Sequence, residues 1–276
     1  MWVTSDGNRL YVEAMGSGPP IIVLHGGPGV GDHRGNKKGF TPLADAFTLV
    51  FYDARGCGVS EGNPPLTHDQ LVADVEAIRR HLDLGPVVLA GGSYGGFISL
   101  EYALCHPRNV RAIVARSTAA RFHHQEKSIQ TALARNLPGV DRPTLERFFG
   151  GKMRDDDDLR ALHAAILPLY NFRYNPEHVP DVKTGKYRVA THNWAFGRNL
   201  PGYDLRPRLR EIRVPVLVAV GRHDWITPVE CSEELARALP NARLEIFEES
   251  GHSPHLEENA KFVALVREFL GGLSLS

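Results

Sequence analysis

The chain has 276 residues, 42% of them hydrophobic and 23% charged, which is enough for one large domain or two small ones with a sizeable core. Its 32 lysines and arginines balance its 32 aspartates and glutamates, which argues against binding of nucleic acid or a membrane surface through a basic excess. Its three cysteines, Cys57, Cys105 and Cys231, lie too far apart to indicate a disulfide framework or a zinc site.

Apolar runs and helical patterns alternate along the first 117 residues. The turn signal "SDGN" at 5–8 predicts a hairpin before Gly16. Runs rich in Val, Ile and Leu predict strands, and apolar residues at helical spacing predict helices. The predicted strands cover 20–26, 47–53, 86–92 and 110–117, and the predicted helices cover 68–82 and 94–105. Because the strand runs are continuous rather than alternating, we expect strands that are buried on both faces.

The alternation stops between residues 120 and 205, where helical patterns occur without a convincing strand. It resumes with predicted strands at 214–221 and 242–249 and predicted helices at about 228–239 and 256–270. We therefore predict an α/β fold with a mostly parallel central sheet and helices on both faces. Its core comprises 1–119 and 206–276, and 120–205 form a helical cap of the kind that covers a site.

The lack of visible targeting signals in the sequence predicts a cytoplasmic protein. The N-terminal "MWVTSDGN" lacks the basic and apolar segments of a signal peptide. The longest apolar stretches, such as 214–220 with Pro215 inside it, are far shorter than a membrane span. Widely spaced free thiols fit a reducing compartment. We expect neither a membrane nor a nucleic-acid partner, and the sequence does not predict the oligomeric state.

A serine at a strand-to-helix turn is the first candidate for chemistry. Gly91-Gly92-Ser93-Tyr94-Gly95 is a G-x-S-x-G motif between a predicted strand and a predicted helix, the context in which the serine hydroxyl is exposed above the sheet. Such a nucleophile needs a base and a residue that orients the base, in the chain order Ser, acid, His. Asp224 and His252 each follow a predicted strand in that order, and His255 is a less favoured alternative base.

The segment "HGGPG", 25–29, ends the predicted strand at 20–26 and offers bare backbone. Neither it nor the serine turn has the full pattern of a phosphate-binding loop or a dinucleotide fingerprint. Acyl transfer instead needs backbone N–H groups that face the developing oxyanion. We predict that the N–H groups of Gly27 and Tyr94 form this oxyanion hole. His25 and Arg55 are interpreted as residues that hold their loops in place.

Five segments together resemble one family: "HGGPG", "FYDARGCGVS", "GGSYGG", "GRHDWITP" and "SGHSPH". They are similar to the proline iminopeptidase (prolyl aminopeptidase) branch of the α/β-hydrolase superfamily, over roughly 1–120 and 205–276. The resemblance implies an α/β-hydrolase fold and a Ser93, Asp224, His252 triad. It also implies that the helical insertion caps a small substrate, and that neither a metal nor a cofactor takes part.

The resemblance is weakest where specificity is set. Peptidases of the branch hold the substrate amine with glutamates of the cap and near the triad acid, but Trp225 follows Asp224 and 190–197 contain no glutamate. The acidic run Asp155 to Asp158 is interpreted as a solvated loop or helix start. We therefore predict a serine hydrolase on small molecules or short peptides, an aminopeptidase first and a carboxylesterase or lactonase as the alternative. A catalytically silent receptor is a remote alternative, and Trp194, Trp225 and His192 are candidates for the substrate pocket.

Overall fold

A computed structural model describes residues 1–273, in which eight strands form one sheet. The strand order is β1-β2-β4-β3-β5-β6-β7-β8, with β1, β2 and β4 paired antiparallel and every other neighbouring pair parallel. The strands are β1 Trp2–Ser5, β2 Asn8–Met15, β3 Pro20–Leu24, β4 Thr48–Tyr52, β5 Val87–Gly92, β6 Val110–Arg116, β7 Val216–Gly221 and β8 Ala242–Phe247. The α/β-hydrolase fold class is therefore confirmed.

Every residue of β5 and β7 is buried, which explains their continuous apolar runs. Alternate residues of the central strands enter two apolar clusters, one on each face of the sheet. In β3, Ile22 and Leu24 join the cluster that includes helices α2, α3 and α8, whereas Ile21 and Val23 join the one that includes α1 and α10. Parallel strands covered on both faces place all their carboxyl ends at one edge of the sheet.

Ten α-helices are assigned within the described chain. They are α1 Arg34–Phe40, α2 His68–His81, α3 Tyr94–Cys105, α4 Gln125–Ala134, α5 Arg142–Phe149, α6 Asp156–Ile166, α7 Val189–Trp194, α8 Val229–Ala238, α9 Pro254–Glu257 and α10 Asn259–Gly271. None of the helices in residues 1–273 has the length and apolar character needed to cross a bilayer.

Two helical features differ from the sequence prediction. The single helix expected near 256–270 is two helices, because Glu258 leaves the helical conformation with φ −117° and ψ 50°. Helix α1 was not predicted, since its sequence "RGNKKGF" has two glycines and no apolar repeat. Gly39 fits there because a side chain would collide with His255 of α9, its Cβ lying 2.6 Å from the imidazole Cδ2.

Helices α4 to α7 lie within the segment that the sequence indicates as the cap, and no strand of the described chain falls in it. Their apolar faces form a third cluster, which includes Leu145, Phe149 and Leu159. Trp225, from the loop after β7, packs into the same cluster. The two ends of the insertion meet in an isolated bridge between Arg121 and Asp204.

Candidate active site

Ser93 occupies the turn between β5 and α3 with φ +54° and ψ −121°, a conformation that non-glycine residues rarely adopt. The tight turn is possible because its neighbours lack side chains: a Cβ on Gly95 would lie 2.5 Å from the Leu24 carbonyl oxygen. The backbone is fixed on both sides, since the Ser93 N–H donates to the Arg116 carbonyl at 2.9 Å and the Thr118 hydroxyl donates to the Ser93 carbonyl at 2.9 Å.

Asp224 and His252, the sequence candidates for the acid and the base, are joined by hydrogen bonds. Nδ1 of His252 lies 2.9 Å from each Asp224 carboxylate oxygen, and both side chains are buried. Asp224 also accepts the N–H groups of Ile226 and Thr227 at 2.9 and 3.0 Å, and the Thr227 hydroxyl at 2.9 Å. Burial alone would raise the pKa of Asp224, but the attraction of His252 and the hydrogen bonds from His252 and Thr227 outweigh it and hold the pKa below its ordinary value.

The backbone of His252 is held by two other parts of the chain. Its N–H donates to the Tyr170 carbonyl at 2.8 Å, and its carbonyl accepts from Nη1 of Arg116 at 3.2 Å. The Tyr170 ring packs edge-on against the imidazole with 5.6 Å between centroids. With Nδ1 directed at Asp224, the other ring nitrogen, Nε2, is the one available to accept a proton.

Glu257 fixes the loop that carries His252. Its carboxylate accepts the N–H groups of Phe172 at 2.7 Å, Gly251 at 2.9 Å and Ser253 at 3.2 Å. Burial raises the pKa of Glu257 above its ordinary value, against these hydrogen bonds, which lower it. One carboxylate thus connects the loop that carries His252 to the backbone of Phe172.

Ser93 and His252 line the same cavity, whose volume is about 370 Å³. Within residues 1–273 no hydrogen bond joins the Ser93 hydroxyl to His252, and such contacts are often long before substrate binds. His255, the alternative base, also lines the cavity, but burial lowers its pKa well below the ordinary range and it has no carboxylate hydrogen-bond partner in the described chain.

The "HGGPG" loop lies directly against the serine. A Cβ on Gly26 would be 2.7 Å from the Ser93 Cβ, so the closest approach is at Gly26 rather than at Gly27. Gly27 has φ +65°, and neither its N–H nor that of Tyr94 is hydrogen-bonded within the described residues. His25 braces the loop as predicted, with Nε2 accepting the Ala54 N–H at 2.9 Å and Nδ1 2.7 Å from the Gly26 carbonyl.

Five phenylalanines line the cavity: Phe97, Phe122, Phe148, Phe149 and Phe196. His192 also lines the cavity and donates from Nε2 to the Phe148 carbonyl at 3.0 Å. Trp194 and Trp225, the other two pocket candidates, are not among the residues that line this cavity. Trp225 packs between Phe149 and Tyr170 behind the cavity wall, and Trp194 stacks with the Arg198 guanidinium. Residue type alone cannot indicate which face of a cluster an indole occupies.

No buried carboxylate lines the cavity in the described part of the chain. Its acidic lining residues are Asp32, Glu177 and Asp181, all partly or fully exposed. The run from Asp155 to Asp158 begins α6, with the Asp155 side chain accepting the Asp158 N–H at 2.8 Å.

Asp32, His33 and Asp53 come close enough together to be considered as metal ligands. Their geometry favours another role, because Asp53 already accepts from the His33 backbone N–H at 3.0 Å and the Val59 N–H at 2.8 Å, with His33 Nδ1 at 2.7 Å. The Asp32 carboxylate is bound by the guanidinium of Arg34. These contacts are those of a loop held by hydrogen bonds.

The sequence analysis did not identify three residues that shape the site: Asn36, Arg116 and Glu257. Arg116 lies inside an apolar strand pattern and Asn36 in an unpredicted helix. Glu257 follows His252 closely, and that proximity in sequence was its one available signal. Tyr170 acts through its backbone carbonyl, which no residue type reveals.

Comparisons with known proteins agree with this architecture. The profile of the alpha/beta hydrolase fold family matches residues 19–259. The chain is 32% identical to the proline iminopeptidase PfmaB of Pestalotiopsis fici over 98% of each chain. Among solved structures it is similar to a proline iminopeptidase of Mycobacterium smegmatis (TM-score 0.78, 25% identity, 99% and 97% of the chains). A second similar structure is an esterase of Exiguobacterium antarcticum (TM-score 0.76, 25% identity, 98% of each chain).

Proposed function

Because the chain belongs to the alpha/beta hydrolase family, we propose that it is a serine hydrolase that cleaves small acyl compounds with Ser93, His252 and Asp224. The observation that carries the proposal is the position of three residues beside one cavity, each of them after the carboxyl end of a strand: Ser93 after β5, Asp224 after β7 and His252 after β8. Ser93 stands there on a strained turn, and His252, which lines the same cavity, is bound through Nδ1 to a buried carboxylate. Nucleophile, base and orienting acid are the parts that acyl transfer needs.

In the proposed reaction, Nε2 of His252 removes the Ser93 proton while Oγ attacks the substrate carbonyl. The N–H groups of Gly27 and Tyr94 stabilise the oxyanion. His252 then gives the proton to the leaving group, and a water molecule activated by His252 releases the acyl group from Ser93. Asp224, ionised because its pKa is lowered, orients the imidazole and stabilises its charged form.

We assign the inserted helices the role of a cap that surrounds the substrate. Four of the five phenylalanines of the cavity, at 122, 148, 149 and 196, come from the insertion. An apolar enclosure around a few polar groups favours binding of small substrates and strengthens electrostatic interactions at the reacting centre.

The first candidate substrates are short peptides or amides with a free N-terminal residue, as for a proline iminopeptidase. This candidate is supported by the likeness to proline iminopeptidases over nearly the whole chain, including the relative at 32% identity. A buried ammonium needs a carboxylate partner. The acidic groups that line the cavity belong to its exposed part: Asp32, Glu177 and Asp181.

Small esters and lactones are the second candidate class, and one observation favours them. Buried lining residues of the described chain include no carboxylate, so the inner cavity suits an acyl group without a free amine. The likeness to an esterase structure is consistent with this class.

The test compares hydrolysis of a prolyl arylamide, its N-acetylated form and a short-chain aryl ester. An aminopeptidase prefers the free-amine arylamide strongly, whereas turnover of the ester alone would assign the second class. Labelling by a fluorophosphonate tests the serine hydrolase itself, with Ser93→Ala as the matched control. If the folded wild-type protein is neither labelled nor active on any of the three compounds, the proposal fails and a binding role replaces it.

A further inference from the structure

Arg116 is a buried cation in the cavity wall. The residue is 6% exposed at the end of β6 and lines the cavity beside His252. Its guanidinium donates to two neutral acceptors, from Nη1 to the His252 carbonyl at 3.2 Å and from Nη2 to Oδ1 of Asn36 at 3.1 Å. Burial lowers the pKa of Arg116 to about 10, so the side chain is still cationic at neutral pH.

The fold makes room for this guanidinium. A Cβ on Gly92 would lie 2.5 Å from the Arg116 Cζ, so the group lies across bare backbone next to the nucleophile Ser93. Any side chain at Gly92 would displace it. The glycine before the serine therefore serves the arginine as well as the tight turn.

A second buried arginine shows how this chain neutralises such a charge elsewhere. Arg55 faces Asp74, with Nη2 to Oδ1 at 2.6 Å and Nε to Oδ2 at 2.9 Å, and both side chains are almost completely buried. A buried guanidinium with a bidentate carboxylate partner is the expected arrangement. Arg116 has no hydrogen-bonded carboxylate within residues 1–273.

The charged and titratable groups near Arg116 do not supply the missing partner. Asp224 attracts it at longer range, but the Asp224 oxygens are bound by His252 and Thr227. His255, the other neighbour, is neutral because burial lowers its pKa well below the ordinary range. The cavity wall therefore has a positive group whose donors outnumber its acceptors.

Asn36 and His255 add unused polar atoms at the same place. Both residues line the cavity and both are at least 95% buried, with 5% and 3% of their surface exposed. Nδ2 of Asn36 and Nδ1 of His255 have no hydrogen-bond partner among the described residues. Buried polar groups are normally paired, so two unpaired donors in one cavity wall, next to a buried cation, are what a bound polar group would satisfy.

We propose that the substrate carries a carboxylate and that Arg116 and the Asn36 amide bind it. The inference rests on the proposed function, since it names the class of acyl compound taken by the same cavity. A carboxylate supplies the charge and the acceptor oxygens that the guanidinium and the Nδ2 group lack. An ammonium group at this position is repelled by Arg116.

The first experiment measures binding to the Ser93→Ala protein, so that its result does not depend on turnover. The probes are 3-phenylpropionate and its neutral isostere 3-phenylpropionamide, whose ring suits the phenylalanine-lined part of the cavity. We expect the carboxylate to bind about tenfold to a hundredfold more tightly, the range for hydrogen bonds to a charged group. Equal affinity for the two probes would overturn the inference and leave the serine hydrolase proposal untouched.

Two substitutions that each lower the net charge by one unit separate the site from the general charge of the surface. Asn36→Asp places a carboxylate against Arg116 and is expected to abolish the preference for the anionic probe. Lys37→Gln is the matched control and is expected to keep the preference for the anionic probe. Lys37 is next to Asn36 on α1, and its ammonium is paired with Glu13. If the preference survives Asn36→Asp, or falls equally in both variants, Arg116 is not the binding group.

The second experiment uses hydrolysis to locate the carboxylate on the substrate. One pair carries it on the leaving group, 4-acetoxybenzoate against 4-acetoxybenzamide, and the other on the acyl chain, the 4-nitrophenyl monoester of adipate against that of adipamate. We expect kcat/KM to favour the anion in one pair and this preference to disappear in Asn36→Asp. A purely structural role of Arg116, which holds the His252 carbonyl, predicts that kcat/KM changes equally for anion and amide.

Discussion

Gly26→Ala is expected to abolish most activity without unfolding the protein. Gly26 does not have a left-handed φ, so its backbone can accept an alanine, and the effect comes from contact alone. The added methyl carbon would lie 2.7 Å from the Cβ and 3.2 Å from the Oγ of Ser93, and 2.9 Å from the Gly92 carbonyl oxygen. The substitution therefore acts directly on the position of the nucleophile.

The size of the effect follows from these distances. Carbon atoms in contact are about 3.5–4.0 Å apart, so the serine must move by about 1 Å to make room. A misplacement of about 1 Å can cost about a hundredfold in rate, because the oxygen no longer meets the carbonyl at the productive distance. We expect kcat/KM for a short-chain aryl ester to fall by about that factor, with slower fluorophosphonate labelling of Ser93.

Gly271→Ala is the matched control, since a Cβ there meets nothing within 4 Å and the residue ends α10, outside the cavity lining. It should retain the wild-type kcat/KM. Near-UV circular dichroism and thermal unfolding of both variants show whether the fold is retained. A folded Gly26→Ala protein with wild-type kcat/KM would refute the reasoning that this loop and the serine are in rigid contact.

Three further outcomes are expected. Asp224→Asn should lower kcat by about 10⁴-fold, because His252 loses the carboxylate that orients it; wild-type ester hydrolysis by a folded variant would contradict this. Asp74→Ala leaves Arg55 buried and unpaired, so urea unfolding should show a loss of about 3–5 kcal/mol, most of it recovered in the double variant Arg55→Met, Asp74→Leu. Burial lowers the pKa of His163 and His192 from 6.5 to about 4, so between these values the unfolded chain binds protons that the folded protein does not. The free energy of unfolding should therefore decrease as the pH falls from 6.5 to about 4, with a smaller slope in His163→Phe, and a flat profile would show that these histidines are accessible to protons.

The sheet was predictable because its strands are buried on both faces. Every residue of β5 and β7 is buried, and the sequence of each strand is therefore an uninterrupted apolar run. Helix α1 has no such apolar pattern in its sequence. It is stabilised instead by the fit of Gly39 against His255 and by the burial of Asn36. Contacts between segments that are distant in sequence decide such an element.

The candidate site was predictable where chain order determines position. Asp224 and His252 follow strands whose carboxyl ends share one edge, and they are hydrogen-bonded there. The two tryptophans lie outside the cavity lining, and residue type could not indicate this because an indole packs equally well on either side of an aromatic cluster. The sequence predicts Arg116 only as the end of a strand. The structure shows that its guanidinium lies across Gly92 and faces the cavity, which the sequence pattern could not indicate.

The hydrogen bonds between residues 170–172 and the loop of His252 restrict which substitutions can change the substrate specificity of this enzyme. The Tyr170 carbonyl holds the His252 N–H, and Glu257 binds the backbone of Phe172 together with that of Gly251 and Ser253. Mutations that shift residues 170–172 therefore disturb proton transfer and not merely substrate fit. New specificities are more accessible to selection through side chains of the inserted helices, such as Phe148 of α5, whose replacement leaves the backbone of His252 in place.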